Sequence, residues 1–247
     1  MTDRLWPLVV EADLAELPEP EWLIDQHVTN GMTLMYGAPK SGKTFLAVSW
    51  AMSIASGQPW HGTKTKRTPV VYVSGEGVGG LAKRTEAWRI AEHAKSPPMY
   101  VVPFGARLVD REHVVALRDD VHAIGAGLLV VDTLARSMAG ADENSQQDMG
   151  HVVQACDWLR EKTGCAVLLV HHSGVDGSRP RGSSSLFGAV DTLVRVEGDG
   201  RMVDVSCEGQ KDAAPFRRRA FQLSPSGRSV VLAERKVSAA ASVVTPF

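Results

Sequence analysis

From residue 32 onward the chain alternates between short unbroken apolar runs and longer stretches whose apolar positions recur every three or four residues. Residues 32–36, "MTLMY", predict a strand, and residues 43–56, "KTFLAVSWAMSIAS", a helix. The same alternation continues. "PVVYVSGE" (69–76) reads as a strand, "GLAKRTEAWRIAEH" (80–93) as a helix, and "MYVVPF" (99–104) as an edge strand, since Pro103 cannot donate to a ladder. "EHVVALRDDVHAI" (112–124) predicts a helix, "GLLVVDTL" (127–134) a buried strand, "SQQDMGHVVQACDWLREKTG" (145–164) a helix and "CAVLLVHHS" (165–173) another buried strand. Apolar runs separated by helices imply an α/β fold with a mostly parallel central sheet covered on both faces. Beyond about residue 188 the pattern alternates and turns at Gly-Asp-Gly and Ser-Pro-Ser-Gly, which predicts antiparallel hairpins.

Residues 1–30 are broken by Pro7, Pro18 and Pro20 and read as an N-terminal arm, ahead of a core over 31–235 and a frayed tail over 236–247. The length of 247 residues suits one large core. A net charge of −1 supplies no global field for a polyanion, so any nucleic-acid surface must be local. Cys156, Cys165 and Cys207 are isolated, without metal-like spacing, and read as buried thiols in a reducing compartment. With no signal-like apolar run near the start and no segment long enough to span a membrane, a cytoplasmic location without membrane contact is the expectation.

Residues 37–44, "GAPKSGKT", fit G-x-x-x-x-G-K-[ST] between a predicted strand and a predicted helix. Gly37, Ala38, Pro39, Lys40, Ser41 and Gly42 would curl their amides around phosphate oxygens, with Phe45 just behind. Lys43 would reach the β- and γ-phosphates of ATP, and the Thr44 hydroxyl would ligate Mg²⁺. Asp132 ends an apolar strand and is expected on the metal side. Glu76, between Gly75 and Gly77 past another strand end, is expected to polarise the attacking water. Tyr36 and Trp60 can flank a nucleobase or fill the core. Asp142, Glu143 and Asp148 can hold metal for phosphodiester cleavage or form the acidic first turn of the helix near Ser145, and the second account needs no new chemistry.

The ordered set "GAPKSGKT", "VSGEG", "LLVVDTLAR" and "VLLVHHSG…RGSSSLFGAVDT" resembles the RecA-like P-loop ATPases of the DnaB and RepA hexameric-helicase branch, the phage- or plasmid-type RepA-like ATPases included, over residues 22–223. The resemblance implies that the "VLLVHH" strand lies between the phosphate-loop strand and the Asp132 strand. It also implies a γ-phosphate sensor at the pair His171 and His172, with His172 favoured and one buried plus one solvated histidine as the alternative. It makes residues 173–188 a mobile loop touching single-stranded DNA through Arg179, Arg181, Ser183 and Ser184. A basic residue completing a neighbour's site is then sought in "GQKDAAPFRRR", Lys211 first and Arg217 second.

The expectation is an Mg²⁺-dependent ATPase, assembled head-to-tail as a hexameric ring or filament and stimulated by single-stranded or forked DNA. It would act as a helicase-like or recombinase-like motor in replication or recombination. The alternatives are a DNA nuclease using the Asp142, Glu143 and Asp148 site, or a nucleotide-switched DNA-bound loader or regulator.

Overall fold

The computed structural model describes residues 9–16, 20–174, 181–211 and 213–235. Its strands are β1 (Trp22–Ile24), β2 (Val28–Thr29), β3 (Met32–Gly37), β4 (Val70–Ser74), β5 (Met99–Val102), β6 (Leu128–Asp132), β7 (Ala166–His172), β8 (Thr192–Gly198), β9 (Met202–Gln210), β10 (Arg219–Ser226) and β11 (Ser229–Arg235). Its helices are α1 (Lys43–Ser56), α2 (Val78–Ala91), α3 (Arg111–Ile124), α4 (Gln146–Thr163) and the short α5 (Ser185–Ala189). Among the described residues, nine strands join in the order β11-β10-β9-β8-β3-β7-β6-β4-β5. From β8 to β5 all neighbours run parallel, whereas β9, β10 and β11 follow as antiparallel hairpins. The β7 strand lies between β3 and β6, and β5 is an edge.

Strand side chains alternate between faces, so each central strand feeds two cores. Leu128, Val130, Leu168 and Val170 pack with Leu46, Trp50 and Ile54 of α1. Leu129, Val131, Val167 and Leu169 pack with Leu117 and Val121 of α3 and Val152 and Leu159 of α4. That alternation places Asp132 on the α1 face. It also sends His172, in step with Leu168 and Val170, to that face and His171 to the other.

Two expectations need correction. Residues 22–29 of the expected arm are part of the core: Leu23, Ile24 and Val28 are buried against α1, and Lys66 N–H donates to Leu23 O. Prolines punctuate the segment, but its apolar residues still need cover. The loop over 173–188 is structured at its C-terminal end, because Leu186 of α5 is fully buried against the α4 side. Residues 1–8 and the tail over 236–247 lie outside the described residues.

Candidate active site

The β3 strand ends at Gly37, where Val196 of β8 comes so close that a side chain would strike its carbonyl. The chain then crests through exposed Ala38, Pro39 and Lys40, with Lys40 in the left-handed region at φ 65. It enters α1 through Gly42 at φ 102, a conformation that favours glycine. No side chain caps that helix start, so its first amides face the loop's interior as an anion site. Lys43 is buried and donates to Gly37 O at 2.9 Å and Ala38 O at 2.8 Å. An ammonium has three donors, so one stays available for a ligand. Burial lowers the Lys43 pKa to about 8, while Asp132 and Glu76 pull it back up.

Asp132, at the end of β6, is 5% exposed and accepts a 2.6 Å hydrogen bond at Oδ2 from the Tyr72 hydroxyl of β4. Its Oδ1 is buried with no hydrogen-bond partner. Burial raises the Asp132 pKa most, Glu76 raises it further, and Tyr72, Thr44 and Arg84 oppose the shift. A buried carboxylate oxygen without a partner costs about 1–3 kcal/mol, which a cation would offset. The Asp132 carboxylate, with Oδ1 unpartnered and the Thr44 hydroxyl close enough to lower its pKa, therefore fits a divalent ion bound by hard oxygen ligands.

Glu76, just past β4, lies on the other side of the same crevice. Its Oε1 accepts from Thr133 Oγ1 at 3.1 Å and meets His172 Nε2 at 3.5 Å. Gly75 keeps this turn close to Arg136, whose Cβ would lie 2.6 Å from an added side chain. His171 is fully buried, and its Nε2 pairs with the carbonyl of Arg181 at 2.8 Å. Burial lowers the His171 pKa. Arg181 N–H in turn donates to His172 O at 2.9 Å. The returning leg of the loop is thus bonded to both histidines.

The geometry brings Lys43, Thr44, Asp132, Glu76 and His172 to one end of the sheet, at the carboxyl ends of β3, β6, β4 and β7. A family model for an AAA domain matches residues 2–178. The chain belongs to that AAA-domain family. Among solved structures it is similar to a KaiC-like protein from the hyperthermophilic archaeon Pyrococcus horikoshii, with a TM-score of 0.61 and 19% identity over 85% of this chain and 93% of that one. It is also similar to the RadB recombinase, with a TM-score of 0.58 and 18% identity over 83% of this chain and 91% of that one. None of the curated proteins matches the sequence. The family, the phosphate loop and the fold make this chain a RecA-like P-loop ATPase.

Other candidates of this AAA-domain protein sit elsewhere. Tyr36 and Trp60 are buried in the core, so neither faces a base: the Tyr36 hydroxyl bonds Glu208, and Trp60 Nε1 donates to Ser49. The acidic cluster is spent on local bonds. Ser145 caps α4 through Asp148 N–H, Asp148 accepts from Asp142 N–H, Asp142 accepts from Asn144, and Glu143 pairs with Arg181 at 2.6 Å. Among the described residues no group of three or more His, Cys, Asp or Glu side chains is placed to hold a metal ion. Arg179 lies outside the described residues; Arg181 and Ser184 are exposed, and Ser183 bonds Ser185. Lys211 is tied to Ala189 O and Asp191, while Arg217 is exposed ahead of β10. Asp191 N–H donates to Met32 O, so Lys211 lies at the far end of β3 from Gly37, roughly 17 Å along the strand.

Sequence reading missed Tyr72 and Thr133, the side chains that hold the two acids. It also missed Arg84, whose guanidinium stacks 5.0 Å from the half-buried Phe45 ring. Asp132 pairs in register with Ser74 of β4, two residues beyond Tyr72. A tyrosine two residues before a strand's end, on the face of the metal-side acid, is a readable signal once strand order is known.

Proposed function

We propose that the chain is an Mg²⁺-dependent ATPase of the DnaB and RepA branch that assembles head-to-tail and works on single-stranded or forked DNA as a helicase-like or recombinase-like motor. Gly37–Gly42 and Phe45 frame the nucleotide, and Lys43 neutralises its terminal phosphates. Thr44 and Asp132 hold the ion, which supplies charge neutralisation on the phosphates when bound. Glu76 orients the attacking water, held in place by Thr133, and His172 faces the terminal phosphate from the end of β7.

One observation carries the DNA-coupled reading. His172 meets Glu76 through its side chain, while its carbonyl holds Arg181 at the root of the Ser- and Arg-containing loop. Loss of a γ-phosphate that moves His172 would then move Arg181, Ser183 and Ser184. A RadB recombinase among the structural neighbours is consistent with a DNA substrate. Among the described residues no helix is long and apolar enough to cross a membrane. For completing a neighbour's site, Arg217 is the freer candidate, because Lys211 is already paired.

The test is anisotropy of a labelled oligothymidylate with the protein and either ATP or ADP. Nucleotide-dependent affinity in the wild type, lost in His172→Ala while ATP still binds, supports the relay. Equal affinity with ATP and ADP in the wild type contradicts it.

A further inference from the structure

The phosphate loop, residues 37–44, carries two lysines in different surroundings. Lys43 is buried and bonded to Gly37 O and Ala38 O. Lys40 is exposed and makes no hydrogen bond or ion pair among the described residues. Its backbone is the unusual part. Residues 38–41 close a tight turn through Ser41 N–H, which donates to Ala38 O at 3.2 Å. Pro39 takes the second position of that turn, where its fixed φ fits, and Lys40 takes the third at φ 65. A third position in the left-handed region suits glycine or asparagine, and a lysine there strains the backbone.

Packing does not account for the lysine, because its side chain is in solvent. Nor does the turn, which glycine would close with less strain. What the position supplies is charge. Asp132 and Glu76 lie close enough to Lys43 to raise its pKa, and Arg84 lies close enough to Asp132 to lower that of the acid. Two carboxylates, an ammonium and a guanidinium leave the crevice near neutrality. A triphosphate keeps net negative charge even with a divalent ion bound, so a further cation at the rim would be attracted to it.

Position selects the phosphate. The crest leaves β3 at Gly37, which pairs in register with His172 of β7, and Ser173 N–H donates to Gly37 O. The crest therefore rises on the side of the crevice that the reading above gives to the terminal phosphate. Lys43, three residues on, approaches from the buried floor at the start of α1. A lysine stem is flexible, and its ammonium has three donors to follow phosphate oxygens.

We propose that Lys40 is a second phosphate lysine, whose ammonium closes on the terminal phosphate from the solvent side, opposite Lys43. It holds that group while ATP is intact and loses its partner when the group departs. This rests on the nucleotide reading above and adds to it a side chain that tells ATP from ADP.

The test is calorimetric titration of the full chain with Mg²⁺, comparing ADP with the β,γ-imido analogue of ATP. Lys40→Gly and Lys40→Asn both fit the turn and remove the charge. Each should bind the analogue about tenfold or more weakly, as for a lost charge-assisted hydrogen bond, and change ADP affinity by about twofold or less. Lys40→Arg should keep the wild-type ratio of the two affinities. Without nucleotide, Lys40→Gly should unfold at no lower temperature than the wild type, which separates weaker binding from misfolding. If the glycine and asparagine variants keep the wild-type ratio, the assignment of Lys40 fails while nucleotide binding stands. Equal losses for both nucleotides also overturn it, since ADP has no terminal phosphate to lose. A wild type that binds neither nucleotide overturns this assignment and the reading beneath it.

Discussion

Lys43, proposed above to neutralise the terminal phosphates, is a buried charge that the fold itself has to tolerate. Its pKa of about 8, against 10.5 for a free lysine, means that the folded chain binds fewer protons than the unfolded chain between those values. Stability must therefore rise with pH across that window, and the cost of burial is fully present below about pH 8. The gap corresponds to about 3 kcal/mol. Lys43→Met removes the charge but also the two charge-assisted hydrogen bonds to Gly37 O and Ala38 O, each worth about 1.5 kcal/mol or more. The nucleotide-free variant should therefore come out level with the wild type or slightly less stable at pH 7. It should lose a further ~3 kcal/mol against the wild type as pH rises from 8 toward 10.5. Urea unfolding of both proteins at pH 7 and pH 10, without nucleotide, reads the difference directly, and charges shared by the two cancel. ATP and Mg²⁺ should stabilise the wild type and leave the variant unmoved. An offset between the two proteins that stays the same at pH 7 and pH 10 would refute the reasoning.

Glu76→Gln should keep nucleotide affinity and lower ATP turnover about 100-fold or more, measured by steady-state phosphate release. Tyr72→Phe leaves the buried Asp132 Oδ2 without its donor and should cost about 1–3 kcal/mol of stability in urea. The same change removes a bond that lowers the Asp132 pKa, so the acid limb of Mg²⁺-dependent activity should move to higher pH. In Gly198→Ala the new methyl would sit 2.5 Å from Ser41 O, forcing the phosphate loop and the β8–β9 hairpin apart and distorting the loop. ATP affinity measured by calorimetry should fall about tenfold or more, with the fold retained by circular dichroism.

Much of this architecture was legible because local chemistry and the global fold agree. The run "KTFLAVSWAMSIAS" becomes α1, and the glycines of "GAPKSGKT" stand where the backbone turns and where Val196 presses in. The strand order with β7 between β3 and β6 followed from the resemblance and matches the sheet. Strand alternation then separates His171 from His172, a distinction that needs the register as well as the motif. What stayed hidden depends on long-range packing. Nothing local marks Gly198, or Val203 whose side chain presses on Gly42, as the wall behind the phosphate loop, nor Tyr72 as more than a core aromatic. The burial of Leu23 and Ile24 was masked by the prolines before them, and that of Leu186 by the serines around it.

The central claim is that the crevice holding Lys43, Asp132, Glu76 and His172 is tied, through the bonds from Arg181 to both histidines, to a loop proposed above to contact DNA. The most direct measurement is the ATP hydrolysis rate of the full chain with Mg²⁺, with and without single-stranded DNA. The account predicts a rate several-fold higher with DNA, an acceleration that His172→Ala abolishes. A wild-type rate that DNA leaves unchanged would contradict it.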